Sequence, residues 1–506
     1  MTDLSLPAAR QGHWVTPFFA GTVLASAGLV FMVEPMIARM ILPQLGGSPA
    51  VWNVSVAFFQ AALLAGYVYA HLLQRLRSLT VQVGIHLMLL AAATLVLPIA
   101  ITTTFGPAPV QNPTAWLIEV LLVSVGAPFA VLSATAPLLQ AWYARLLHGD
   151  PRAENPYVLY AASNLGSVLA LLAYPIAVEP LLTLHAQAID WTLGFCLFCA
   201  LVAVLGVIVL NQPAAQPMSR AAAVARTALD WRTRILWVAL AAAPSSLMLG
   251  ATTYIANDVA SVPFLWVVPL ALYLLTFIIS FQASPLIGRE RALLWQAVFV
   301  SMAAALLCVN TASLAAHLLA YTGAFFFCAL VCHQRLAAMR PPTQHLTEFY
   351  LLISLGGVLG GAFNAFLAPV LFSGVAEFPL VLGLTVLARP WRAMPISLAS
   401  TGLALVGIVA VVLIAFVPND PALRYVPVIL GILGAAAAAF LGARTILIAL
   451  VIGAFCAEAS FWPSDTRDEL LRARTFFGVH RVTQGFEPAL GGPTHILNHG
   501  TTVHGA

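Results

Sequence analysis

The segment 187–211, QAIDWTLGFCLFCALVAVLGVIVLN, contains a single charged residue, Asp190. About fourteen comparable apolar runs fill the chain from Pro17 to Ala459. A run of roughly 18 or more apolar residues indicates a membrane-spanning helix, because lipid offers the backbone no hydrogen-bond partner and a helix satisfies its own N–H and C=O groups. Hydrophobic residues make up 61% of the chain and charged residues 8%, whereas soluble domains carry roughly 25% charged residues. The sequence therefore predicts an all-α, polytopic membrane protein.

Charge and cysteine content exclude several other classes. The formal net charge of +4 is small, and the chain contains no lysine, so we expect neither nucleic-acid binding nor Schiff-base chemistry. All six cysteines lie inside apolar runs, which argues against an extracellular disulfide framework. The first apolar run, which follows Arg10, is too long for the apolar core of a signal peptide.

The apolar runs predict twelve helices in two sets of six, a linker and further membrane helices. We number the predicted helices along the chain: 17–41, 51–73, 80–101, 115–141, 157–182 and 187–211, then 234–256, 260–282, 291–309, 312–334, 347–372 and 375–388, then 395–417, 425–441 and 445–458. The last is short for a full crossing and is expected to be interfacial or re-entrant. The predicted division is 1–211, first repeat; 212–233, cytoplasmic linker; 234–390, second repeat; 391–459, additional helices; 460–506, polar tail.

Arginine placement predicts the orientation. Loops after even-numbered helices are rich in arginine, as at Arg75, Arg77 and Arg289, whereas loops after odd-numbered helices carry almost none, Arg424 being the exception. Positive residues stay on the cytoplasmic side, so the N-terminus and the even loops are predicted to be cytoplasmic. For the tail the indications conflict: fifteen crossings would place it outside, whereas its arginines favour the inside.

An internal repeat is indicated by matches between helix n and helix n+6. Helices 2 and 8 open with similar segments, Ser48-Pro49-Ala50-Val51-Trp52 and Ser261-Val262-Pro263-Phe264-Leu265-Trp266. The middles of helices 5 and 11 also match, with Leu165-Gly166-Ser167-Val168-Leu169 in helix 5 and Leu355-Gly356-Gly357-Val358-Leu359 in helix 11. Because six is even, both halves have one orientation, as in parallel-repeat transporters.

Polar residues inside the apolar runs are the candidate binding residues, because charge in hydrocarbon is costly and is retained mainly for function. A polar cavity is predicted from helices 1, 2, 5, 7 and 11. Its candidate residues are Glu34, Arg39, Asn53, Gln60, Asn164, Glu179, Asn257, Asp258, Glu348 and Asn364. The alternative is that these groups only join helix ends through hydrogen bonds. No catalytic arrangement is recognised, and the cysteines and histidines of helices 6 and 10 are expected to pack as small core residues, not to bind a metal.

The tail differs from the rest of the chain. Residues 465–474 have a charged helical pattern, whereas Phe476–Val482 and Thr494–Leu497 alternate as strands do. Two strands alone are marginally stable in water, so the tail is interpreted as the opening of a further domain.

Several of these segments resemble the bacterial fused major-facilitator-like/spermidine synthase family over nearly the whole chain. The resemblance rests on Glu34–Arg39, Leu45–Asn53, Ser163–Ser167, Thr252–Ile255 with Ser261–Pro263, Leu346–Tyr350, Ser354–Gly361, Arg474–Val479 and His499–Gly505. It implies a major-facilitator-like fold in the inner membrane of a bacterium and a link to aminopropyl transfer from decarboxylated S-adenosylmethionine.

This chain contains no strand–glycine-rich loop–helix unit that could bind that nucleoside. We therefore expect no cofactor in this chain, and decarboxylated S-adenosylmethionine only if a catalytic domain follows. The predicted function is the membrane domain of a fused protein that binds or moves a small solute, for which a polyamine is one candidate. The alternatives are an aminopropyltransferase whose catalytic domain is absent from this sequence, and a structural membrane anchor. The expected partners are the lipid bilayer and the solute; the oligomeric state stays open.

Overall fold

The computed structural model describes residues 14–146, 157–211, 230–258, 267–282, 284–309, 313–341, 345–390, 397–418, 420–442, 444–461, 469–487, 492–499 and 502–505. These residues form two compact units. The first takes its residues from Met1–Gln44 and Phe58–Asp230, and the second from Leu45–Ala57 and Trp231–Ala506. The second unit therefore includes the beginning of the second helix. The domain boundaries drawn from the sequence stay predictions.

In the described part of residues 14–211, six helices begin in the order predicted. They are α1 (Val15–Leu45), α2 (Pro49–Gln74), α3 (Leu79–Ala93), α4 (Pro113–Leu146), α5 (Val158–Leu181) and α6 (Leu184–Leu210). The α3 helix is shorter than the predicted 80–101, because a short 3₁₀ turn (Thr94–Val96) follows it and Pro98 cannot continue a helix.

Among the residues that the structure describes, nine further helices lie in the second unit. They are α7 (Trp231–Asp258), α8 (Val267–Phe281), α9 (Arg289–Cys308), α10 (Leu314–Ala338), α11 (Glu348–Leu371), α12 (Glu377–Val386), α13 (Leu398–Ile414), α14 (Val426–Phe440) and α15 (Thr445–Phe461). Within the described residues, ten helices are long and apolar enough to cross a membrane, and α8 and α12–α15 are shorter apolar helices. The prediction of an all-α polytopic protein is confirmed. The predicted linker, apart from its last residues, and the predicted start of helix 8 lie outside the described residues.

Hydroxyl side chains begin several of these helices. Ser78, Thr183, Ser313 and Ser397 each accept a hydrogen bond from a backbone N–H in the first turn of the helix that follows. Such an N-cap satisfies a donor that has no partner within the helix. The predicted starts, which followed hydropathy alone, are displaced by up to a few residues because hydropathy does not register caps.

Two helices in corresponding places carry the same irregularity. In α5 the segment Tyr174–Val178, and in α11 the segment Phe363–Leu367, is a π-helical turn of five residues. Pro175 is the second residue of the turn in α5, and Pro369 lies two residues after the turn in α11. Single π turns inside α-helices mark places where the backbone ladder is locally interrupted, and they are frequent at functional sites.

The tail forms a four-stranded antiparallel sheet in the described residues. Its strands are β1 (Glu469–Thr475), β2 (Gly478–Glu487), β3 (Gly492–His499) and β4 (Thr502–Gly505), in the order β1-β2-β3-β4. The predicted β-type tail is confirmed, but the helical pattern inferred for 465–474 is wrong where it is described. Residues from Glu469 onward form a strand, because they pair with β2 in an antiparallel ladder and because Arg474 binds Glu377, which is distant in sequence.

Candidate functional site

Glu34 is the least compensated of the predicted site residues whose side chains the structure describes. It lies in α1 between buried apolar residues, among them Val33, Met36 and Ile37, and is itself 8% exposed. Within the described residues no hydrogen bond or ion pair reaches its carboxylate. Pro35 follows it and lacks an N–H, so the carbonyl of Phe31 loses its usual helical donor. An ionised carboxylate in apolar surroundings is costly unless a proton or a cation neutralises it.

Arg39, the cation nearest to Glu34 in sequence, is paired elsewhere. Its Nη2 forms a salt bridge with Oε1 of Glu179, at the end of α5. Beside that carboxylate, the Tyr174 hydroxyl donates to Gln187 Oε1 at 3.1 Å. Arg39 and Glu179 therefore form an ion pair within the first unit. The two charges neutralise each other.

Asn53 joins two helices of the second unit. Its Nδ2 donates to Thr253 Oγ1 of α7 at 2.8 Å, while its Oδ1 is buried without a hydrogen-bond partner in the described residues. Thr253 Oγ1 in turn donates to the carbonyl of Leu249 at 3.0 Å. A buried amide oxygen without a donor is a place that accepts a hydrogen bond from a ligand or a water.

Asn364 lies in the π turn of α11 and is 1% exposed. Its Nδ2 donates to the Ser246 carbonyl at 3.0 Å, to Ser246 Oγ at 2.5 Å and to the Gly360 carbonyl at 3.2 Å. Those bonds fasten α11 to α7. Its Oδ1, like that of Asn53, is buried without a partner in the described residues.

Glu348 has a structural role. Its Oε1 accepts from Arg234 Nε of α7 at 2.6 Å, and its Oε2 lies 3.6 Å from His345 Nδ1. Both side chains of the Arg234 pair are more than a third exposed. This is the alternative reading of the candidate residues, in which a polar group joins helix ends.

The remaining candidates are less informative. Gln60 on α2 and Asn164 on α5 are half-buried. Asn257 and Asp258 are the last residues of α7, and their side chains lie outside the described residues. The candidates are thus divided between the units: Glu34, Arg39, Gln60, Asn164 and Glu179 in the first, the others in the second. The single cavity predicted from all ten stays a prediction.

Sequence reasoning missed a buried ion pair between the tail and the membrane helices. Arg474 of β1 donates through Nη2 to Glu377 Oε1 at 2.7 Å and through Nη1 to Glu377 Oε2 at 3.0 Å. Its Nη1 also donates to the Gly374 carbonyl at 2.5 Å. Glu377 is 1% exposed and Arg474 8%. The only sequence signal was an acid at the start of a short apolar helix, and nothing in the pattern indicated its partner.

Arg389, after α12, is a second residue whose role the sequence did not indicate. It is 4% exposed, and its guanidinium donates to the Leu293 carbonyl at 2.9 Å, to Gln296 Oε1 at 2.7 Å and to the Gly442 carbonyl. These bonds connect α9 with the loop between α14 and α15.

Three histidines lie on adjacent strands of the tail sheet. The ring of His499 is 4.7 Å from that of His480 and 5.6 Å from that of His504, centroid to centroid. Burial, and then the neighbouring His480, lower the pKa of His499 below its ordinary value. In the described residues, no group of three or more His, Cys, Asp or Glu side chains is placed to hold a metal ion.

Comparison with known proteins gives only distant likenesses. No protein-family model and no curated protein matches the chain. The solved structures similar to it include the xylose transporter XylE from E. coli in an inward-open conformation, with 12% identity, 73% of this chain and 93% of that chain covered, and a TM-score of 0.46. A bacterial homologue of the human lysosomal transporter Spinster, inward-facing and unoccupied, shares 12% identity, with 89% and 98% covered and a TM-score of 0.44. The nucleoside transporter NupG shares 10% identity, with 74% and 98% covered and a TM-score of 0.44. TM-scores this low do not demonstrate a common fold.

Proposed function

We propose that this chain is a membrane transporter for a small solute, whose first twelve helices form two six-helix repeats in the manner of the major facilitator proteins. The observation that carries the proposal is Glu34, a carboxylate nine-tenths buried in a membrane helix that no described residue neutralises. A residue of this kind is retained at a cost and marks a path for a solute or a proton.

Corresponding glycines support the proposed arrangement of two repeats. A Cβ at Gly166 of α5 would clash with the Leu24 carbonyl of α1, and a Cβ at Gly356 of α11 would lie 2.5 Å from the Val238 carbonyl of α7. In each unit, the fifth helix therefore packs against the first through a matching glycine. The π turns of α5 and α11 follow these glycines at similar distances along the helix.

A cationic solute fits the charges best. Arg39 would repel a cation if it were unpaired, but Glu179 neutralises it. The carboxylate of Glu34 is then the uncompensated charge of the predicted site residues in the first unit. A protonated amine would replace the missing partner and make the charge-assisted hydrogen bond that such a carboxylate accepts. Polyamines are the candidate class.

Binding and uptake of labelled spermidine by the purified protein in proteoliposomes test the proposal. We expect Glu34→Gln to weaken binding by about 10- to 100-fold, because a hydrogen bond to a charged group is worth roughly 1.5–3 kcal/mol. Glu119→Gln is the matched control, since Glu119 is an exposed carboxylate of α4, and it should bind as the parent does. Glu34→Asp, which keeps the charge, should retain part of the affinity.

Equal spermidine binding by the parent and Glu34→Gln would contradict the assignment of Glu34. Asp258→Asn, tested in parallel, would show whether the corresponding acid of the second unit contributes. Loss of uptake with unchanged binding would place Glu34 in proton coupling and not in solute contact.

The resemblance to the fused spermidine synthase family favours a second candidate, a membrane anchor for a synthase. The tail sheet supports it, because a four-stranded sheet fastened to the membrane unit is a suitable beginning for a further domain. The test is whether the reading frame continues into a glycine-rich nucleoside-binding unit. An anchor without transport predicts that Glu34→Gln changes neither uptake nor localisation.

A further inference from the structure

We infer that the C-terminal sheet lies on the face of the membrane opposite the arginine-rich loops, which is the extracytoplasmic face under the positive-inside rule. This inference goes beyond transport and does not depend on it. All contacts that carry it lie within the second unit.

The α11 helix separates two ends of that unit. It starts at Glu348, which is paired with Arg234, and runs for 24 residues to Leu371. At about 1.5 Å per residue that is about 36 Å, enough to cross a hydrocarbon core of about 30 Å. The loop between α11 and α12 is therefore on the opposite face from Arg234 and from Arg340, which follows α10.

The sheet is fastened to that loop. Arg474 of β1 binds both carboxylate oxygens of Glu377, the first residue of α12, and the carbonyl of Gly374. Because an arginine side chain reaches only a few ångströms, β1 lies on the same face as the loop.

A second contact involves the hairpin between α1 and α2. Ser48 Oγ donates to the carbonyl of Phe476, in the turn between β1 and β2, at 3.5 Å. Ser48 precedes α2 and belongs, like Phe476, to the second unit. The turn of the sheet therefore lies beside the start of α2.

The contacts of α15 also place the sheet on the face opposite the arginine-rich loops. At its start, Thr445 Oγ1 donates to the Pro390 carbonyl at 2.9 Å, beside Arg389. Towards its end, the Phe455 carbonyl accepts from Cys308 Sγ at 3.5 Å, and Cys308 is the last residue of α9, which begins at Arg289. The helix runs from the arginine-rich face to the other over 17 residues, about 26 Å. Its two ends therefore lie towards opposite faces, while the helix is shorter than the ten that are long enough to cross a membrane, and the interfacial or re-entrant character predicted for 445–458 stays a prediction.

The arginines of the tail favoured the cytoplasm in the sequence. Two of them are held in pairs: Arg472 Nη2 lies 2.7 Å from Glu469 Oε2, and Arg474 is paired with Glu377. The contacts decide between the faces, because Glu377 cannot be reached across the thickness of a bilayer.

Cysteine accessibility in intact cells tests the inference. Thr502→Cys places a thiol on the exposed strand β4, and Val503→Cys serves if the first variant does not accumulate. Val110→Cys, in the loop after α3, reports labelling at the arginine-poor face. Leu76→Cys, in the loop after α2, reports labelling at the arginine-rich face. All four positions are exposed. The parent chain, whose six cysteines lie in apolar runs, gives the background.

With a membrane-impermeant maleimide, we expect Thr502→Cys and Val110→Cys to be labelled in intact cells. Leu76→Cys should be labelled only after permeabilisation. If Thr502→Cys were labelled under the same conditions as Leu76→Cys, and not under those that label Val110→Cys, the inference would be overturned. If Leu76→Cys alone were labelled in intact cells, the sheet would still be opposite the arginine-rich loops, but the assignment of that face as extracytoplasmic would be overturned.

Discussion

The two ion pairs of the second unit show how strongly surroundings decide what a charged residue does. Arg234 and Glu348 meet at 2.6 Å with both side chains more than a third exposed, whereas Arg474 and Glu377 meet at 2.7 Å with both almost fully buried. An exposed pair gains little because water already solvates both charges. A buried pair also contributes little in net terms, but removing one partner leaves an uncompensated charge.

We predict that Glu377→Gln destabilises the second unit strongly. The substitution leaves the Arg474 guanidinium buried without a counter-charge, and breaking such a pair costs roughly 3–5 kcal/mol. The measurement is thermal or denaturant unfolding of the purified protein in detergent, followed by near-ultraviolet circular dichroism.

Glu348→Gln is the matched control, since it removes the corresponding carboxylate from an exposed pair and should cost about 0–1 kcal/mol. The double variant Glu377→Gln/Arg474→Gln should recover part of the loss, because no charge is then left buried. Equal effects of Glu377→Gln and Glu348→Gln would show that the buried pair does not hold the sheet.

At the scale of helices, packing is governed by glycines that admit a neighbouring backbone. On α11, Gly356 faces α7, where an added Cβ would lie 2.5 Å from the Val238 carbonyl and 2.7 Å from Ala241 Cβ. The next residue, Gly357, has no atom within 4 Å of an added Cβ. Between membrane helices, where no hydrophobic effect drives association, such close approach supplies much of the stabilisation.

We predict that Gly356→Ala destabilises the protein and Gly357→Ala does not. The first forces α11 away from α7, and overpacking costs typically 1–3 kcal/mol. The second places a methyl group in open space, where alanine favours the helix by up to about 1 kcal/mol relative to glycine. Thermal unfolding in detergent compares the two, and equal midpoints would contradict the packing described for α11.

The apolar runs could be predicted as helices because lipid leaves the backbone no other way to satisfy its hydrogen bonds. The predicted 187–211 and the observed Leu184–Leu210 differ by a few residues, since the Thr183 cap decides the start. Strand β1 was missed for a different reason. Its arginines suit a helix locally, and what makes it a strand is pairing with β2 and with Glu377, which lies 97 positions away along the chain.

The tail sheet should lose protection as the pH falls. Burial and the neighbouring His480 lower the pKa of His499 in the folded sheet, so the unfolded chain binds a proton more readily than the folded one. The contribution of His499 is complete above the ordinary imidazole pKa of about 6.5 and is lost as the pH falls through the lowered value.

Hydrogen exchange of β2 and β3, corrected for intrinsic rates, measures this loss between about pH 8 and pH 5. His499→Gln should remove the pH dependence, because glutamine carries no titrating group. His495→Gln should keep it, since His495 lies on the same strand but is exposed. Protection that rises with acid in the parent would contradict the lowered pKa.

For the whole molecule, the sequence predicted the separate polar groups better than their partners. Glu34 is a candidate binding residue in the sequence and in the structure, since hydropathy alone identifies a carboxylate inside an apolar run. Arg39 and Glu179 were both predicted as candidate residues, but nothing in the sequence indicated that they pair with each other across two helices. Helix packing decides which polar groups come into contact. The glycines that determine the packing have no charged or polar side chain, so the sequence pattern does not indicate which helices they contact.

The two compact units do not coincide with the two halves of the chain. Leu45–Ala57, at the beginning of α2, belongs to the second unit, where Asn53 Nδ2 donates to Thr253 Oγ1 at 2.8 Å and Ser48 contacts the tail sheet. A cut in the 212–229 segment therefore removes from the second unit part of its own structure, including buried polar contacts whose loss leaves groups unsatisfied.

We accordingly predict that residues 231–506 expressed alone unfold at a lower temperature than the same piece co-expressed with residues 1–230. Thermal unfolding and size-exclusion chromatography in detergent compare the two preparations. Co-expression in which the first piece carries Asn53→Ala should fall between them, because the buried Thr253 hydroxyl then loses its donor at a cost of about 1–3 kcal/mol. Gln74→Ala in the first piece is the matched control, as it lies at the far end of α2 and outside Leu45–Ala57. If the second piece alone were as stable as the co-expressed pair, Leu45–Ala57 would contribute nothing to the second unit, and the chain would be two independent halves joined by a linker.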